Sequence, residues 1–192
     1  MAYATLEDVK LYRGISSTMT GDDALLSVLI DRAEALIDRY TERTFDASTA
    51  STRYYDAVRD VSDDRRTLYL GDDLCVVTTI TNGTGEAVTK YITEPRHGTP
   101  YYAIRLKASA GELFDYDDDP EDAISVRGQW GYSATAPDDI RQATVRLVAY
   151  MYAQKDASIF DVTAYPDAGV LMVPQGMPRD VRETLDRYTR LR

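Results

Sequence analysis

A chain of 192 residues, 44% of them hydrophobic and 28% charged, has room for one ordinary soluble domain or a small one carrying an insert. Its formal net charge of −10 excludes a surface that grips nucleic acid or anionic lipid over its whole extent, because phosphate binding needs a basic face. No apolar run reaches the ~18 residues of a membrane span, MAYATLEDVK lacks the basic-then-apolar pattern of a secretory signal, and a single cysteine, Cys75, fits a reducing compartment.

In chain order, Thr5 with Asp8 three residues on predicts a capped short helix over Leu6–Tyr12, ended by Gly14. Thr20-Gly-Asp-Asp opens a longer helix. Leu25, Leu26, Leu29, Ile30, Ala33, Leu36, Ile37 and Tyr40 recur three and four apart, while Asp31, Arg32, Glu34, Asp38 and Arg39 take the other face. From Thr52 to Tyr132 the period changes to two. Tyr102, Ile104 and Leu106 alternate with Ala103, Arg105 and Lys107; Ile124, Val126, Trp130 and Tyr132 share a second face. Leu74–Ile80 is a more buried strand, Asn82-Gly83 signals a hairpin, and shorter strands are expected at Arg53–Val58 and Thr67–Leu70. This is an antiparallel sheet of five or six strands.

Pro137 starts a third helix whose apolar stripe is Ile140, Ala143, Leu147, Tyr150 and Met151. Leu29, Ile30, Leu36 and Ile37 are expected to pack with Ile140, Leu147 and Met151 as a helical core. After Lys155 regularity fades through 156–177, and Pro178 opens a last helix with Val181, Leu185 and Tyr188 on one side. The fold class is α+β: a small helical bundle, an antiparallel β-rich insert between helices 2 and 3, and an extended C-terminal arm ending in a short helix. The divisions expected are 1–51, N-terminal helices; 52–133, β-rich insert; 134–156, core helix; 157–192, arm and last helix.

Charge is uneven along the chain. Pro174–Arg192 holds Arg179, Arg182, Arg187, Arg190 and Arg192 against Asp180, Glu183 and Asp186, a net +2 that leaves −12 for the rest. A basic tail on an acidic body suggests a partner of its own. The 15 tyrosines, against three phenylalanines and one tryptophan, fit either interface positions or strand propensity.

No catalytic, cofactor or metal motif is present. The densest acidic run, Asp115, Asp117, Asp118, Asp119, Glu121 and Asp122, offers oxygen ligands for calcium but lacks the spacing and glycine of an EF-hand loop. A solvated hairpin tip between strands ending near Phe114 and starting near Ala123 accounts for it better. An acid/base carboxylate pair for glycoside hydrolysis needs a cleft that sequence does not show. His97 is the only histidine and reads as a loop residue; with Cys75 in an apolar strand, neither a zinc site nor an activated thiol is supported. Trp130 and Tyr132 suit core packing, with Trp130 anchoring the sheet to a helix, better than stacking on a sugar or base.

Three parts of the chain carry a resemblance: two helical segments, and the β-rich middle, which fits a variant with a large insert. YATLEDVKLYRGI with DDALLSVLIDRAEALIDRYTERTF resembles the opening helices of the head-to-tail connector (adaptor, head-completion) proteins of long-tailed double-stranded DNA phages. WGYSATAPDDIRQATVRLVAYMYAQKDA resembles that family's strand-to-helix passage. The resemblance implies a structural virion protein without enzymatic activity or cofactor. It implies a homo-oligomeric ring of twelve copies, assembled in the host cytoplasm and placed in the virion neck between head and tail. The ring docks under the portal protein, extends the DNA channel without specific DNA binding, and offers a surface to a stopper or tail-completion protein. Arg179, Arg182, Arg187, Arg190 and Arg192 are then the expected portal-binding residues. Another connector ring, a stopper or tail-completion protein, is the near alternative. A calcium- or carbohydrate-binding β module and an enzyme using the acidic run are the distant ones.

Overall fold

A computed structural model describes residues 2–157, 163–165, 170–172 and 177–190. The chain divides into two compact units: a helical one from residues 2–43 and 136–192, and a sheet one from 44–135. The β-rich region sits in the chain between the second and third helices, so the fold is α+β.

In the helical unit, α1 spans Leu6–Arg13. Thr5 Oγ1 accepts from the Asp8 N–H at 3.1 Å, and Asp8 Oδ2 accepts from the Thr5 N–H at 2.9 Å, a reciprocal box closing two otherwise orphaned donors. Gly14 ends the helix at φ +68°, a left-handed position that suits glycine. α2 spans Asp23–Thr41 and buries Leu26, Ile30, Ala33 and Ile37 at the predicted spacing. α3 spans Asp138–Ala157 directly after Pro137 and buries Ile140, Leu147 and Val148. α4, Arg179–Leu185, follows Pro178 and buries Val181 and Leu185. Each fully buried Leu or Ile contributes about 1.5–3 kcal/mol by leaving water. A two-stranded ribbon pairs β6 (Thr163–Tyr165) with β7 (Val170–Met172). The rest of the 158–176 stretch lies outside the described residues.

The N-terminal segment is tied to α2. The Tyr3 N–H donates to Glu34 Oε1 at 2.6 Å and the Tyr3 hydroxyl to Asp38 Oδ1 at 2.5 Å. Burial lifts both carboxyls above their ordinary range, more than the bonds from Tyr3 lower them. A raised folded pKa means the native state holds its protons to higher pH than the unfolded chain. Their stabilising contribution is full below the unfolded carboxylate pKa and is lost as pH rises through the folded one. The pair Glu34→Gln with Asp38→Asn is therefore expected to gain stability relative to wild type as pH rises from 4 to 7. Urea midpoints of both proteins across that window check it; a variant midpoint that falls relative to wild type as pH rises refutes it.

The sheet unit holds β1 (Ala50–Tyr55), β2 (Thr67–Thr81), β3 (Tyr91–Glu94), β4 (Tyr101–Leu106) and β5 (Ile124–Trp130). All pairings are antiparallel, in the order β1-β5-β2-β4-β3. One face buries Leu68, Leu70, Leu74, Ile80, Ile104, Ile124 and Val126. On the other, Thr52 stands beside Arg127 and Tyr54 beside Ser125, a polar face.

Four sequence expectations need correction here. Thr67–Leu70 and Leu74–Ile80 are one strand, β2, which changes partner: Thr67–Tyr69 pairs with β4, and Leu74–Thr81 pairs mainly with β5. Gly71, at φ +64°, sits at the irregularity where the partner changes. Asn82-Gly83 does turn the chain, with the Gly85 N–H bonded to the Asn82 carbonyl, but only a single bridge, Thr81 to Ala87, follows; β3 pairs with β4 instead. Tyr132 lies past the end of β5, its ring against Phe45 at 5.4 Å. The acidic stretch is no hairpin tip, because β4 and β5 are not neighbours; it belongs to the connection 107–123, whose Phe114 is fully buried in the sheet core.

Candidate functional site

Among the described residues, no three His, Cys, Asp or Glu side chains are placed to hold a metal ion, and no helix is long and apolar enough to cross a membrane. The acidic residues Asp117, Asp118, Asp119, Glu121 and Asp122 are all exposed. Asp115 is the engaged member: the Tyr116 N–H and then the Arg65 guanidinium, 2.6 Å away, hold its carboxyl below the usual range. His97 is exposed in the loop after β3. Cys75 is buried, and desolvation raises its thiol. Its S–H donates to the Gln129 carbonyl at 3.3 Å, so it is poorly suited to act as a nucleophile.

Trp130 presents no stacking face. Its indole N–H donates to the Ser51 carbonyl at 3.0 Å, the Arg53 guanidinium covers its ring at 4.4 Å, and Tyr55 lies 6.2 Å away. It is a member of the sheet core.

Three shallow grooves lie on the helical unit among the described residues. One, between α1 and α3, is lined by Asp8, Leu11, Tyr12, Arg141 and Val145, with Leu11 80% exposed at its lip. Another, between α3 and α4, is charged: Asp138, Asp139, Arg146, Asp180 and Arg187 line it, and Arg146 reaches Asp180 at 2.8 Å. The last, between α2 and α4, has Leu36, Tyr40 and Met177 with Arg39 and Arg182. None brings together a nucleophile, a base and a closed cavity, which chemistry at a site would need.

The five expected portal-binding arginines are not one cluster. Arg179 pairs with Glu183 at 2.8 Å, Arg182 faces the α2–α4 groove, and Arg187 the α3–α4 groove. The Arg190 N–H donates to the Thr41 carbonyl at 3.0 Å, and Arg192 lies outside the described residues. Of the residues expected in the helical core, Ile30, Ile37, Ile140 and Leu147 are buried; Leu29, Leu36 and Met151 are half-buried. In the sequence Arg39 shows only as part of a polar face. Its place opposite Arg182 depends on how α4 packs, which no local pattern carries.

A model of the head completion protein family matches residues 2–191. The chain belongs to that family. No curated protein matches it. Among solved structures, one similar chain comes from "Neck of empty GTA particle computed with C6 symmetry", with TM-score 0.61 and 16% identity over 99% of this chain and 91% of that one. Another comes from "Virion of native gene transfer agent (GTA) particle", with TM-score 0.54 and 19% identity over 97% and 88%. At these identities the likeness is one of fold. The family match spans both units, so the β-rich insert is part of this head completion protein as much as the helices are.

Proposed function

We propose that this head completion protein is a structural virion component that forms a ring in the neck of a phage-like particle. The ring lies beneath the portal, continues the DNA channel, and presents the docking surface for a stopper or tail-completion protein. The observation that carries the reading is the family match over residues 2–191. The fold's likeness to a chain of a particle neck solved with sixfold symmetry supports it. A copy number of twelve fits sixfold symmetry as two copies per repeat. The net charge of −10 per copy suits a wall past which DNA must slide, since like charges repel and no counterions are released.

We assign the portal contact to the C-terminal helix and the residues after it, through Arg179, Arg187, Arg190 and Arg192, and leave out Arg182, the fifth arginine expected there, because it lines the α2–α4 groove. Val181 and Leu185 of this helix are core residues, so deleting it would also remove buried apolar surface. Charge reversal is the cleaner test of that contact.

Purified chain mixed with DNA-filled, tailless heads is expected to appear by electron microscopy as a symmetric ring at the portal vertex. Arg187→Glu with Arg190→Glu should lower that occupancy. Wild-type protein that never associates with heads would overturn the reading.

A further inference from the structure

The α2–α4 groove differs in chemistry from the other two. In the α1–α3 groove Asp8 and Arg141 face each other at 3.7 Å, and in the α3–α4 groove Arg146 pairs with Asp180. In the α2–α4 groove the floor is apolar, Leu36, Tyr40 and the nearly buried Met177, and the rim is two guanidiniums, Arg39 and Arg182. Neither is ion-paired among the described residues. Asp186, also on this side of α4, is engaged by the Tyr40 hydroxyl at 2.5 Å. The groove offers an apolar seat and two open cations.

The sheet unit carries the complement. It has nine basic against 16 acidic residues, a net −7 of the chain's −10. Its densest carboxylates, Asp117, Asp118, Asp119, Glu121 and Asp122, are exposed and unpaired among the described residues. Just before them Leu113 is 42% exposed.

The backbone beneath this loop is fixed. Asn82 Nδ2 donates to the Leu113 carbonyl at 2.9 Å, and Asn82 Oδ1 accepts from the Asp115 N–H at 3.0 Å. Phe114 is buried, the Ala57 N–H holds the Pro120 carbonyl at 2.8 Å, and Gly83 lies so close that an added Cβ would meet the Asp115 carbonyl oxygen at 2.5 Å. A loop held this way loses little conformational freedom on docking. Keeping five carboxylates together on it costs self-repulsion that a cationic partner relieves.

We propose that the 113–122 loop of one copy docks in the α2–α4 groove of the next copy. Leu113 seats on Leu36 and Met177, and the carboxylates of residues 117–122 face Arg39 and Arg182. A second copy is the occupant because the chain itself supplies both halves, and a head-to-tail ring needs two different, complementary faces on each subunit. The contact rests on the ring reading above.

The test uses the full-length chain on tailless heads. Arg39→Glu with Arg182→Glu, and separately Asp118→Lys with Asp119→Lys, should each lower ring occupancy roughly tenfold, because like charges then face each other. The four changes on one chain should restore it to within about twofold, as expected of directly coupled residues. Leu36→Cys with Leu113→Cys on one chain should give a ladder of disulfide-linked oligomers on heads under oxidation, and either change alone should not. All these sites are partly or fully exposed, so unchanged urea midpoints verify folding. Rings at wild-type occupancy in both reversed pairs, or failure of the fourfold variant to recover together with no ladder, overturn this contact and leave the ring reading standing. Absence of any ring from wild-type chain removes both.

Discussion

Replacing Gly128 with alanine is expected to destabilise the sheet unit by about 3 kcal/mol or more, at the upper end of what overpacking costs. Gly128 lies in the middle of β5, between Ser51 of β1 and Val77 of β2. Its neighbours at the same pleat, Val126 and Trp130, point into the core. A Cβ at residue 128 would stand 2.2 Å from the Val76 carbonyl oxygen and 2.7 Å from Leu74 Cδ1. The first of these is backbone of the adjoining strand, so no rotamer change relieves it, and β2 would have to move where its register to β5 already shifts. Urea denaturation should show a lower midpoint, or a sheet unit that does not fold. Gly21→Ala is the control: its backbone is not left-handed and an added Cβ meets nothing within 4 Å. That substitution should change stability by no more than about 0.5 kcal/mol. Equal midpoints for the two variants would show that the close approach of β2 is not what selects glycine at 128.

The sequence announces what is local. The Thr5 box, the stop at Gly14, Pro137 and Pro178 ahead of their helices, and the α2 stripe all depend on residues within a turn or two, and all are present. The sheet's period of two is equally local. Its strand order is not: that β5 inserts between β1 and β2 while β3 docks on β4 depends on pairings far apart in sequence. Two errors follow from this. The acidic stretch looks like a hairpin tip because the strands that flank it in sequence are not neighbours in the sheet, and Phe114 looks like a strand end when it is a core residue carried by a loop. Gly128 interrupts the series Ile124, Val126, Trp130 without revealing that another backbone fills the space. The surface follows the same division. The basic character of the C-terminal segment is visible in the sequence, but its arginines divide between different grooves only once α4 packs on α2 and α3.

Lys10→Met should destabilise the helical unit by about 2–4 kcal/mol, the scale of breaking a buried ion pair from one side. By period, Lys10 reads as a polar residue near the end of α1, yet it is 5% exposed. Its ammonium turns inward, 2.6 Å from Asp23 Oδ1, and donates to the Met19 carbonyl at 2.8 Å and, more weakly, to the Ser17 carbonyl at 3.5 Å. One cation thus fastens the connection between α1 and α2 and the first turn of α2. Asp23 Oδ1 is shut off from solvent and accepts no aligned hydrogen bond, so the nearby ammonium compensates it as an ion pair and by charge alone. Methionine fills much of the lysine stem's volume but strands that oxygen and the carbonyls. Asp23→Asn alone should cost less, because the ammonium keeps its bonds to the Met19 and Ser17 carbonyls and the amide oxygen's dipole still faces it. The combination should recover part of the loss, since a neutral side chain no longer leaves an uncompensated charge inside. A double-mutant cycle in urea measures this: a coupling of about 1 kcal/mol or more is expected for an ion pair in direct contact. Strict additivity would mean that Lys10 acts through its buried stem, and that the α1–α2 connection is held by packing alone.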